Sequence, residues 1–598
     1  MCRIAGIYNA ADQNLNGHVV SMRDAMHRGG PDDSGLFVHD QLPFALGHRR
    51  LSLIDLSASG HQPMHFKKAG LTIIFNGEIY NFLEIRSTLM HYGYQFESQS
   101  DTEVILKAYA HWGLDAFEYF NGMFALAIWD EQKQQLILAR DHAGIKPLYY
   151  YLDQHCLYFA SEIRAFKHSG KQFEENPKWK TAFLTFGHLP EPVTTLKDVV
   201  PLPKGSVMVI DLPSLKIKKQ QFFKWKLKNE LKDEEEAIQL MRETLEQSVQ
   251  RHMISDAPIG LFLSGGIDSS LLTLIASHSE QSNLHTLSII FNEKEFSEDK
   301  YQQLIIRKTN AKHQSFLVTK EIFNESLSDA IAAMDQPTID GINTYFISKY
   351  AREYGLKAVL SGLGADELFG GYPSFQQQKK LKLIRQMPQS VLRNFERVPD
   401  HRIRKLSYAG ISNSAAEYLL YRGIFTTSSA GELLQTSSLE VEKELQSISE
   451  YYPINGLANG NRVSWIETNF YMQNQLLKDS DFMSMWHGLE IRVPFLDKEV
   501  MMMAGVVDEH IKYKKTPPKY LLVKAFENEL PVEIWKRKKQ GFTFPFEGWL
   551  KENEFTMPSN PDEQRLYNAF QKRRLSWGRY WCALLMNRFS NSLLHAQA

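Results

Sequence analysis

Cys2 occupies a position from which a cysteine can act as a nucleophile without a separate base. Removal of Met1 would leave a thiol and a free α-amine on the same residue. An α-amine titrates near ~7.7–8 and a thiol near ~8.5, so a proton passes between them at little cost near neutral pH. The alternative interpretation is a chance cysteine in a flexible terminus. The placement predicts a thiol that can attack an amide carbonyl.

Three short segments downstream carry the groups that an amide-bearing amino acid requires. Asn76 and Gly77 follow an apolar run, and together they can aim a side-chain amide and a backbone N–H at one oxyanion. Arg50 offers a guanidinium for a substrate carboxylate, and Asp101 offers a carboxylate for a substrate ammonium. Each segment also has a simpler interpretation, because Asn-Gly commonly forms a turn and single charges are commonly solvated. Together the segments predict a pocket for a free amino acid with a side-chain amide.

A separate group of residues predicts a phosphate-binding loop. The apolar run Ile259–Leu263 leads into 264–270, whose sequence is Ser-Gly-Gly-Ile-Asp-Ser-Ser, and an apolar helical stretch begins at Leu271. The glycines let backbone N–H groups close around an anion, the hydroxyls add donors, and the start of the following helix faces the phosphates. Asp268 can hold Mg²⁺ that bridges those phosphates. The loop lacks the Gly-Lys-Ser/Thr ending of a Walker loop, which indicates a different nucleotide chemistry.

The same theme follows another apolar run. Ala358–Leu360 is followed by 361–367, with the sequence Ser-Gly-Leu-Gly-Ala-Asp-Glu. Asp366 and Glu367 are placed to complete a metal site that faces Asp268. Doubly wound sheets bind ligands beyond the carboxyl ends of their strands, so the two acidic loops are expected to meet at one edge.

The residues around Cys2 require a different scaffold from those around Asp268. From residue 1 to 210, short β-type runs such as Leu71–Phe75 and Leu136–Ala139 alternate with Gly, Pro, Asn and Asp, which predicts an α+β domain. Residues 211–236 are rich in Lys and Glu and poor in apolar residues, so we interpret them as a linker.

Residues 237–598 are predicted to form an α/β domain with a doubly wound parallel sheet and helical C-terminal additions. Apolar strands alternate with helices, which is typical of a parallel sheet. From about Gln376 onward, long apolar-periodic segments such as Trp465–Leu477 predict a mainly helical remainder. The predicted helix lies at Ala237–Arg251, and the predicted strands lie at Ile259–Leu263, Leu287–Phe291 and Ala358–Leu360.

Composition limits the classes of partner. At 598 residues, the chain exceeds the size at which one core keeps growing, so two or more domains are expected. The 68 Lys and Arg residues nearly cancel the 69 Asp and Glu residues, so no overall basic field exists for nucleic acid or an anionic membrane. No apolar run approaches the ~18 residues of a membrane span. Cys2, Cys156 and Cys582 fit neither a disulfide framework nor a zinc site, which favours a reducing cytoplasm.

Five motifs follow one another in the first half: Met1-Cys2-x-Ile-x-Gly, His-Arg-Gly-Gly-Pro-Asp at 27–32, Arg50-Leu51-Ser52, Asn76-Gly77-Glu78 and Ser100-Asp101-Thr102-Glu103. Their order resembles the glutaminase domain of class II glutamine amidotransferases. The resemblance implies an N-terminal-nucleophile hydrolase with a four-layer αββα sandwich. One departure is the additional glycine at 29–30, where the family has His-Arg-Gly-Pro-Asp. The resemblance further implies that Cys2 is the nucleophile, that Asn76 and Gly77 form the oxyanion hole, and that Arg50, Asn76, Glu78 and Asp101 bind glutamine.

The string Ser-Gly-Gly-x-Asp-Ser at 264–269 is similar to the PP-loop of ATP pyrophosphatases, in which ATP transfers AMP to a carboxylate or carbonyl and releases pyrophosphate. Together with the first half, with 488–497 and with Lys519–Leu522, it resembles asparagine synthetase over most of the chain. The resemblance implies ATP and Mg²⁺ as cofactors, with the metal on Asp268 and Asp366 and with Lys519 at the reacting phosphate. The implied nucleotide-binding residues are Leu263, Ser264, Gly265, Gly266, Asp268, Ser269, Ile289, Ser361, Gly362 and Lys519.

Two other charged features have simpler interpretations. Arg492 and Asp497 belong to the segment that strengthens the resemblance, but a structural salt bridge between them is the alternative. The run Lys-Arg-Lys-Lys at 536–539 is expected to be a solvated face, with steering of ATP as the alternative.

The resemblance implies glutamine-dependent amide synthesis driven by ATP. Ammonia released at Cys2 reaches the second half through an internal passage and attacks an acyl adenylate, which gives an amide and AMP after pyrophosphate has left. Aspartate, converted to asparagine, is the first acceptor to consider. The expected partners are small-molecule substrates, with no nucleic acid and no membrane, and a homodimer is the assembly considered.

Two alternative functions stay open. Asparagine synthetases generally carry Ser-Gly-Glu-Gly where this chain has Leu363 in place of the acid, and leucine cannot act as acid or base. The run at 335–345 also lacks the Ser-Thr-Pro-type segment expected for aspartate recognition. Amidation of a uronic acid to a uronamide in surface-polysaccharide synthesis is therefore one alternative. A binding or scaffold protein without catalysis is the other, and the retention of Cys2, Asp268, Asp366 and Glu367 argues against it.

Overall fold

The computed structural model of the chain describes residues 2–278, 284–398, 400–454, 456–539, 541, 544–551 and 553–595. Met1, on whose removal the predicted nucleophile depends, lies outside them. The strands, in chain order, are β1 (Arg3–Asn9), β2 (Asp33–Val38), β3 (Phe44–Arg50), β4 (Met64–Phe66), β5 (Leu71–Ile79), β6 (Gly122–Asp130), β7 (Gln135–Arg140), β8 (Tyr149–Leu152), β9 (Cys156–Ala160), β10 (Val200–Pro201), β11 (Ser206–Asp211), β12 (Lys216–Gln221), β13 (Ile259–Phe262), β14 (His285–Ile290), β15 (Lys312–Leu317), β16 (Ala358–Leu360) and β17 (Glu490–Arg492).

The first half consists of two antiparallel six-stranded sheets that lie between layers of helices. One sheet has the strand order β10-β8-β9-β1-β3-β2 and the other β12-β11-β7-β6-β5-β4. Successive residues of a strand point to opposite faces. Ile74 of β5 therefore packs against the facing sheet together with Ile4 of β1, whereas Ile73 and Phe75 pack against helices. This arrangement confirms the predicted αββα sandwich, and it explains why these strands are buried on both faces.

Strand β12 lies inside the segment predicted to be a linker. Lys216–Gln221 pairs along its whole length with Ser206–Asp211, so the second sheet extends beyond the predicted boundary at residue 210. The strand is exposed over most of its length and occupies the edge of its sheet. Edge strands commonly carry lysines that discourage further pairing. The lysine-rich composition that suggested a linker is therefore a property of this edge.

The second half is built on a parallel five-stranded sheet of order β15-β14-β13-β16-β17. The chain runs outward from β13 to β15, then returns to β16 beside β13 and continues to β17. This reversal opens a crevice beyond the carboxyl ends of β13 and β16, the place where doubly wound sheets bind ligands. Of the three predicted strands, β16 has the predicted bounds, and β13 and β14 have shifted ends. Strands β15 and β17 are additional, because the first is mostly polar and the second carries a charged residue at each end.

Helices alternate with the strands of the parallel sheet and make up most of the chain after Tyr372, in agreement with the sequence prediction. None of the helices in the described ranges is long and apolar enough to cross a membrane. A π-helix spans Glu467–Leu476. The α-helices of eight or more residues are Leu15–Asp24, Phe82–His91, Asp101–Trp112, Trp179–Phe186, Glu234–His252, Ile267–Ser277, Asp299–Thr309, Lys320–Ala333, Ile342–Glu353, Pro373–Ile384, Ser414–Arg422, Thr427–Leu434, Ser438–Tyr451, Asn459–Ile466, Leu477–Met485, Lys498–Val506, Pro561–Gln571 and Trp577–His595. Shorter α-helices are Ala116–Tyr119, Ile163–Phe166, Ala365–Phe369, Gln389–Asn394, His401–Arg404, Glu509–Lys512, Tyr520–Ala525, Val532–Lys536 and Phe546–Leu550.

Buried polar groups join the two halves. Arg3 of β1 and Lys146 both contact the carboxylate of Asp481 in the second half, at 2.9 and 3.0 Å. Asn121 donates its side-chain amide to both carboxylate oxygens of Asp497 at 3.0 Å. All five residues are buried, so these contacts are shielded from water and fix the halves against each other.

Candidate functional sites

Cys2 directly precedes β1 and is 6% exposed. Its backbone nitrogen, which would be the α-amine after removal of Met1, donates to Asn76 Oδ1 at 3.2 Å. Burial raises the pKa of the Cys2 thiol, while the positive amino terminus, a hydrogen bond from the Leu51 backbone and the charge of Arg50 act in the opposite direction. The structure thus places the predicted nucleophile beside the predicted oxyanion hole and one of the predicted glutamine-binding residues.

Asn76 and Gly77 lie within β5 and not in a turn, and all nine residues of that strand are buried. A Cβ atom at Gly77 would lie 2.1 Å from the carbonyl oxygen of Met123, so only glycine fits there. Because Asn76 Oδ1 accepts from the Cys2 nitrogen, the amide orientation leaves Nδ2 as the donor, 3.5 Å from Ser161 Oγ. A fixed amide donor beside the thiol is the arrangement that an oxyanion hole requires.

The structure brings the predicted glutamine-binding residues together, but their hydrogen-bond partners within the protein differ. Arg50, at the end of β3, donates to backbone carbonyls of the following loop, including that of Ser57 at 3.0 Å. Asp101 begins a helix and accepts from the Ile79 backbone at 3.0 Å, and burial raises its pKa to about 6. Glu78 is buried, and burial, followed by the charges of nearby carboxylates, raises its pKa well above the ordinary value.

One oxygen of Glu78 faces the second half, and the other has no hydrogen-bond partner within the described ranges. Oε1 lies 3.7 Å from Nη2 of Arg492, and Oε2 is the orphaned atom. A buried hydrogen-bond acceptor that has no donor costs free energy. A ligand with N–H groups could supply the missing donor. Glu78 is therefore the member of the predicted glutamine pocket that is best placed to hold a substrate ammonium.

Arg492 connects the glutamine pocket to the nucleotide loop and does not pair with Asp497. Its side chain contacts Glu490 at 2.5 Å and donates to two backbone carbonyls, while its own carbonyl accepts from the Ser361 backbone at 2.8 Å. Asp497 instead accepts from Asn121 and caps the helix that begins at Lys498. The salt bridge between Arg492 and Asp497, which the sequence left open as an alternative, is not formed, because the two side chains contact different elements.

A cavity of about 990 Å³ lies in the crevice beyond β13 and β16. The loop after β13 turns directly into a helix at Ile267, four residues before the predicted start at Leu271, so Asp268 and Ser269 stand in the first helical turn. Gly265 lies outside the lining, and its carbonyl accepts from Arg537 at 3.1 Å. The other predicted nucleotide-binding residues line the cavity: Leu263, Ser264, Gly266, Asp268, Ser269, Ile289, Ser361, Gly362 and Lys519.

Lys519 occupies the centre of this cavity between the two predicted metal ligands. Its Nζ lies 2.5 Å from Asp268 and 2.6 Å from Asp366. Burial favours the neutral amine, but the two carboxylates outweigh it and raise the pKa of Lys519. Burial raises the pKa of Asp268, whereas for Asp366 the charges of Lys519 and Lys539 overcome burial and lower the pKa to about 2.

The donor set around Asp268 and Asp366 fits Mg²⁺. Two carboxylates converge on one cationic position, and hydroxyl-bearing Ser264 and Ser361 line the same space, so the available ligands are the oxygens that Mg²⁺ prefers. The described ranges contain no cluster of three or more His, Cys, Asp or Glu that would enclose a metal. Mg²⁺ commonly takes its remaining ligands from phosphates and water, so a two-carboxylate site is sufficient for a nucleotide-bound ion.

The sequence predicts that the run at 536–539 is a solvated face, but one of its four residues is largely buried. Lys536, Lys538 and Lys539 are exposed, although Lys539 also lines the cavity, whereas Arg537 lines the cavity and is largely buried. Arg537 contacts Glu298 at 2.5 Å and Lys539 contacts Asp366 at 2.7 Å. Three of the four residues are therefore exposed, as predicted, and Arg537 is the exception.

Comparison with known proteins covers both halves. Residues 1–223 match the model of a glutamine amidotransferase domain, and residues 240–558 match the model named asparagine synthase. Asparagine synthetase (glutamine-hydrolyzing) 1 of Bacillus subtilis is 33% identical over 566 residues, which cover 92% of this chain and 88% of that protein. Asparagine synthetase (glutamine-hydrolyzing) 3 of the same organism is 30% identical and covers 87% of this chain and 83% of its own. Amidase chyE of Penicillium rubens is 27% identical, with 90% and 86% covered.

Proposed function

Because the chain belongs to the family of glutamine-hydrolysing asparagine synthetases, we propose that it transfers ammonia from glutamine to a carboxylate that it first activates with ATP. The coarse activity, glutamine-dependent amide synthesis by a ligase, follows from membership. The roles of individual residues, the acceptor and the products below are part of the proposal. The contact of Lys519 with both Asp268 and Asp366 inside the cavity is the observation that carries it.

In the first half, Cys2 attacks the side-chain amide of glutamine after its proton has passed to its own α-amine. Asn76 Nδ2 and the Gly77 N–H stabilise the oxyanion, and the orientation of Asn76 is set by its bond to the Cys2 nitrogen. Ammonia leaves and a thioester forms, which water hydrolyses to glutamate and the free thiol. Arg50, Glu78 and Asp101 bind the α-carboxylate and α-ammonium of glutamine.

In the second half, an oxygen of the acceptor carboxylate attacks the α-phosphorus of ATP and pyrophosphate leaves. Asp268 and Asp366 would hold Mg²⁺, which supplies charge neutralisation for the phosphates when bound. Lys519 is protonated in this environment and stabilises negative charge on the reacting phosphate. Ammonia then attacks the acyl carbonyl, and AMP leaves with the bonding electrons of its oxygen.

An internal passage between the sites completes the proposal, because ammonia released into water at neutral pH is protonated and loses its nucleophilicity. Arg492 supports this route, since its guanidinium lies beside Glu78 and its carbonyl holds Ser361 at the nucleotide loop. The proposal also assigns the reaction to the cytoplasm, where thiols stay reduced, and takes a homodimer as the assembly to be tested by light scattering.

The decisive experiment follows nitrogen and phosphate together. Purified protein is given glutamine labelled with ¹⁵N in the side-chain amide, ATP and a panel of carboxylic acids. We expect ¹⁵N in an amide product together with equal amounts of AMP and pyrophosphate. Release of ADP and phosphate, or formation of an unlabelled amide, would contradict the proposal. A chain that hydrolyses neither glutamine nor ATP would instead support the scaffold alternative.

Two acceptors enter that panel first. Aspartate is the acceptor implied by the names of the relatives, with asparagine as the product. A uronic acid is the second, because Leu363 lines the cavity where the sequence prediction places an acid in asparagine synthetases.

A further inference from the structure

The cavity continues beyond the acidic centre into a second compartment that the nucleotide loops do not form. We call this part the far wall, and define it by Phe186, Tyr372, Tyr418, Tyr421, Arg422 and Tyr471, all of which line the cavity. Three of these residues lie on the helix Ser414–Arg422, and Phe186 ends a helix of the first half. Tyr471 lies in the π-helix Glu467–Leu476, and π-turns are frequent at functional sites. The far wall is therefore assembled from elements outside the parallel sheet.

Arg422 is held rigidly in the far wall. Its guanidinium carbon lies 3.6 Å from the ring centroid of Tyr471 and 4.3 Å from that of Tyr372, and its Nε contacts Glu467 at 2.6 Å. Glu467 is buried and also accepts from Ser374. Two ring contacts and one buried carboxylate fix the plane of the guanidinium, while the bond to Glu467 engages its Nε edge and leaves the two Nη groups as donors for a ligand.

The far wall joins the acidic centre through Tyr372. Lys539 Nζ, which contacts Asp366 at 2.7 Å, also lies 4.6 Å from the centroid of the Tyr372 ring. Arg422 contacts the same ring, so the two cations are separated by distances on the scale of an aromatic side chain. A molecule that places its carboxylate at the acidic centre and also reaches Arg422 must extend across Tyr372.

The remaining surface favours a ring with hydroxyl groups. Phe186 and Tyr418 stack with their centroids 5.6 Å apart, and Leu363 adds an apolar contact next to the predicted acyl centre. Tyrosine hydroxyls and the guanidinium supply hydrogen-bond groups among these apolar faces. The combination of flat apolar faces with dispersed polar groups is complementary to a saturated ring that carries CH groups on its faces and hydroxyls at its rim.

The same compartment is poorly suited to an α-ammonium group. Leu363 cannot accept a hydrogen bond, and the nearby cavity acids are Asp340, Asp479 and Glu367, the last of which accepts from the Tyr372 hydroxyl at 2.6 Å. Asp479 accepts from the Thr338 hydroxyl at 2.9 Å, and Asp340 accepts from the Gly341 backbone at 3.0 Å. Each of these acids therefore already has one oxygen engaged by a donor of the protein, and position 363 adds no further acceptor for an ammonium.

We infer that the far wall binds the body of the acceptor, and that the acceptor is a hydroxylated ring carboxylate of the uronic acid class and not a free amino acid. The inference rests on the proposed function and narrows it. In this arrangement the acceptor carboxylate lies at Lys519, Leu363 and Tyr418 contact the ring faces, and the Nη groups of Arg422 donate to oxygens at the far rim.

The test measures pyrophosphate release with glucuronate, galacturonate, their nucleoside diphosphate esters, aspartate and 4-hydroxybenzoate. We expect kcat/KM for at least one uronic acid to exceed that for aspartate at least about tenfold, which corresponds to one hydrogen-bonded contact. A preference for aspartate or for 4-hydroxybenzoate would overturn the inference but not the proposed function. Pyrophosphate release with no member of the panel would count against both.

Two variants locate the effect. Arg422→Lys should raise the KM for the uronic acid about tenfold, with the KM for ATP and the glutaminase rate unchanged, because lysine loses the planar donors but keeps the charge. Arg393→Lys, an exposed arginine that contacts Glu442, is the matched control and should change nothing. An unchanged acceptor KM in Arg422→Lys would overturn the role of the far wall.

Leu363→Glu provides the second variant, and it does not depend on the buried Arg422 contacts. A carboxylate at position 363 should lower kcat/KM for the uronic acid and raise it for aspartate, so the ratio of the two shifts toward aspartate. Glutaminase activity reports whether the variant is folded. A ratio that stays constant or moves toward the uronic acid would contradict the inference.

Discussion

The two halves hold their reactive groups in opposite ways. In the first half, Cys2, Asn76 and Gly77 lie in or beside the strands of one antiparallel sandwich, and the Cys2 nitrogen and Asn76 already bond each other. In the second half, Asp268, Asp366 and Lys519 face an open cavity and neutralise one another across it. On the proposed assignment of the sites, the first is organised before glutamine arrives, whereas the second must exchange protein ion pairs for contacts with ATP.

This difference indicates what each site is built to control. A buried thiol with a fixed oxyanion donor gains its rate from preorganisation. A cavity whose charges are satisfied internally gains selectivity, because only a ligand that replaces those contacts in full can enter without loss. Variants in the first half, in the second half, and at Arg492, which contacts both, test whether the two sites act separately.

Cys2→Ala should give the largest effect, since it removes the proposed nucleophile. Glutamine-supported synthesis should fall at least about 10⁴-fold, while synthesis from added ammonium salts is retained. Cys156→Ala, a buried cysteine in β9, is the control and should keep both activities. Equal loss of glutamine-supported and ammonium-supported synthesis in Cys2→Ala would contradict two separate sites.

Arg492→Met should affect both sites at once, because Arg492 contacts both halves. Removing one member of a buried ionic cluster leaves Glu490 and Glu78 without their cation, at a cost of about 3–5 kcal/mol. We expect a lower thermal midpoint by calorimetry and a loss of coupling between glutamine hydrolysis and AMP formation. Arg393→Met, on the surface, should shift the midpoint little. A stable, fully coupled Arg492→Met variant would show that the connection is dispensable.

Asp268→Asn should impair the second half alone. Loss of one charge at the acidic centre should reduce pyrophosphate release about 10²–10³-fold, whereas glutaminase activity persists. Asp299→Asn, at the exposed start of a neighbouring helix, serves as the control. Unchanged pyrophosphate release would refute the role of Asp268 at the phosphates.

The smallest effect is a pH dependence of glutamine binding. Burial raises the pKa of Asp101 to about 6, so one of the two carboxylates proposed to hold the substrate ammonium, the other being Glu78, is lost as pH falls through that value. The KM for glutamine should therefore rise by up to about tenfold between pH 6 and 5 and be flat above pH 7. Asp101→Asn should have a high KM without this dependence. The linked effect on stability has the opposite sign: because the folded state binds the extra proton between about pH 4 and 6, Asp101 lowers stability as pH rises through that window.

The sequence predicted those parts of the sites that lie within contiguous motifs. The loop at 264–270, the position of Asp366 after a strand, and the presence of strands β13, β14 and β16 were predictable because glycine turns and apolar runs are local signals. Asn76 and Gly77 were predicted to be functional through their motif, although their Asn-Gly pair alone would have favoured a turn. The strand that contains them has no polar alternation, because both of its faces are buried.

Other features depended on distances that no local pattern encodes. Tyr372, Arg422 and Tyr471 are far apart along the chain, so the far wall could not be predicted before the fold was known. Strand β12 was interpreted as part of a linker because its composition is that of an exposed edge. The contact of Arg537 with Glu298 was not predicted because a run of basic residues usually indicates a solvated surface. The contacts of Arg50 with backbone carbonyls were likewise invisible, since any guanidinium can serve either a substrate or a loop.

The shared carboxylate of Asp481 has a consequence for how this enzyme can be divided. Arg3 and Lys146 both contact an acid that is encoded more than three hundred codons further on. If the gene were divided between the two halves, each fragment would expose the surface that normally contacts the other half, including charged side chains that have lost their partners. Recovery of activity from such fragments should therefore require that they are produced together, and neither piece should serve as a portable module in a fusion.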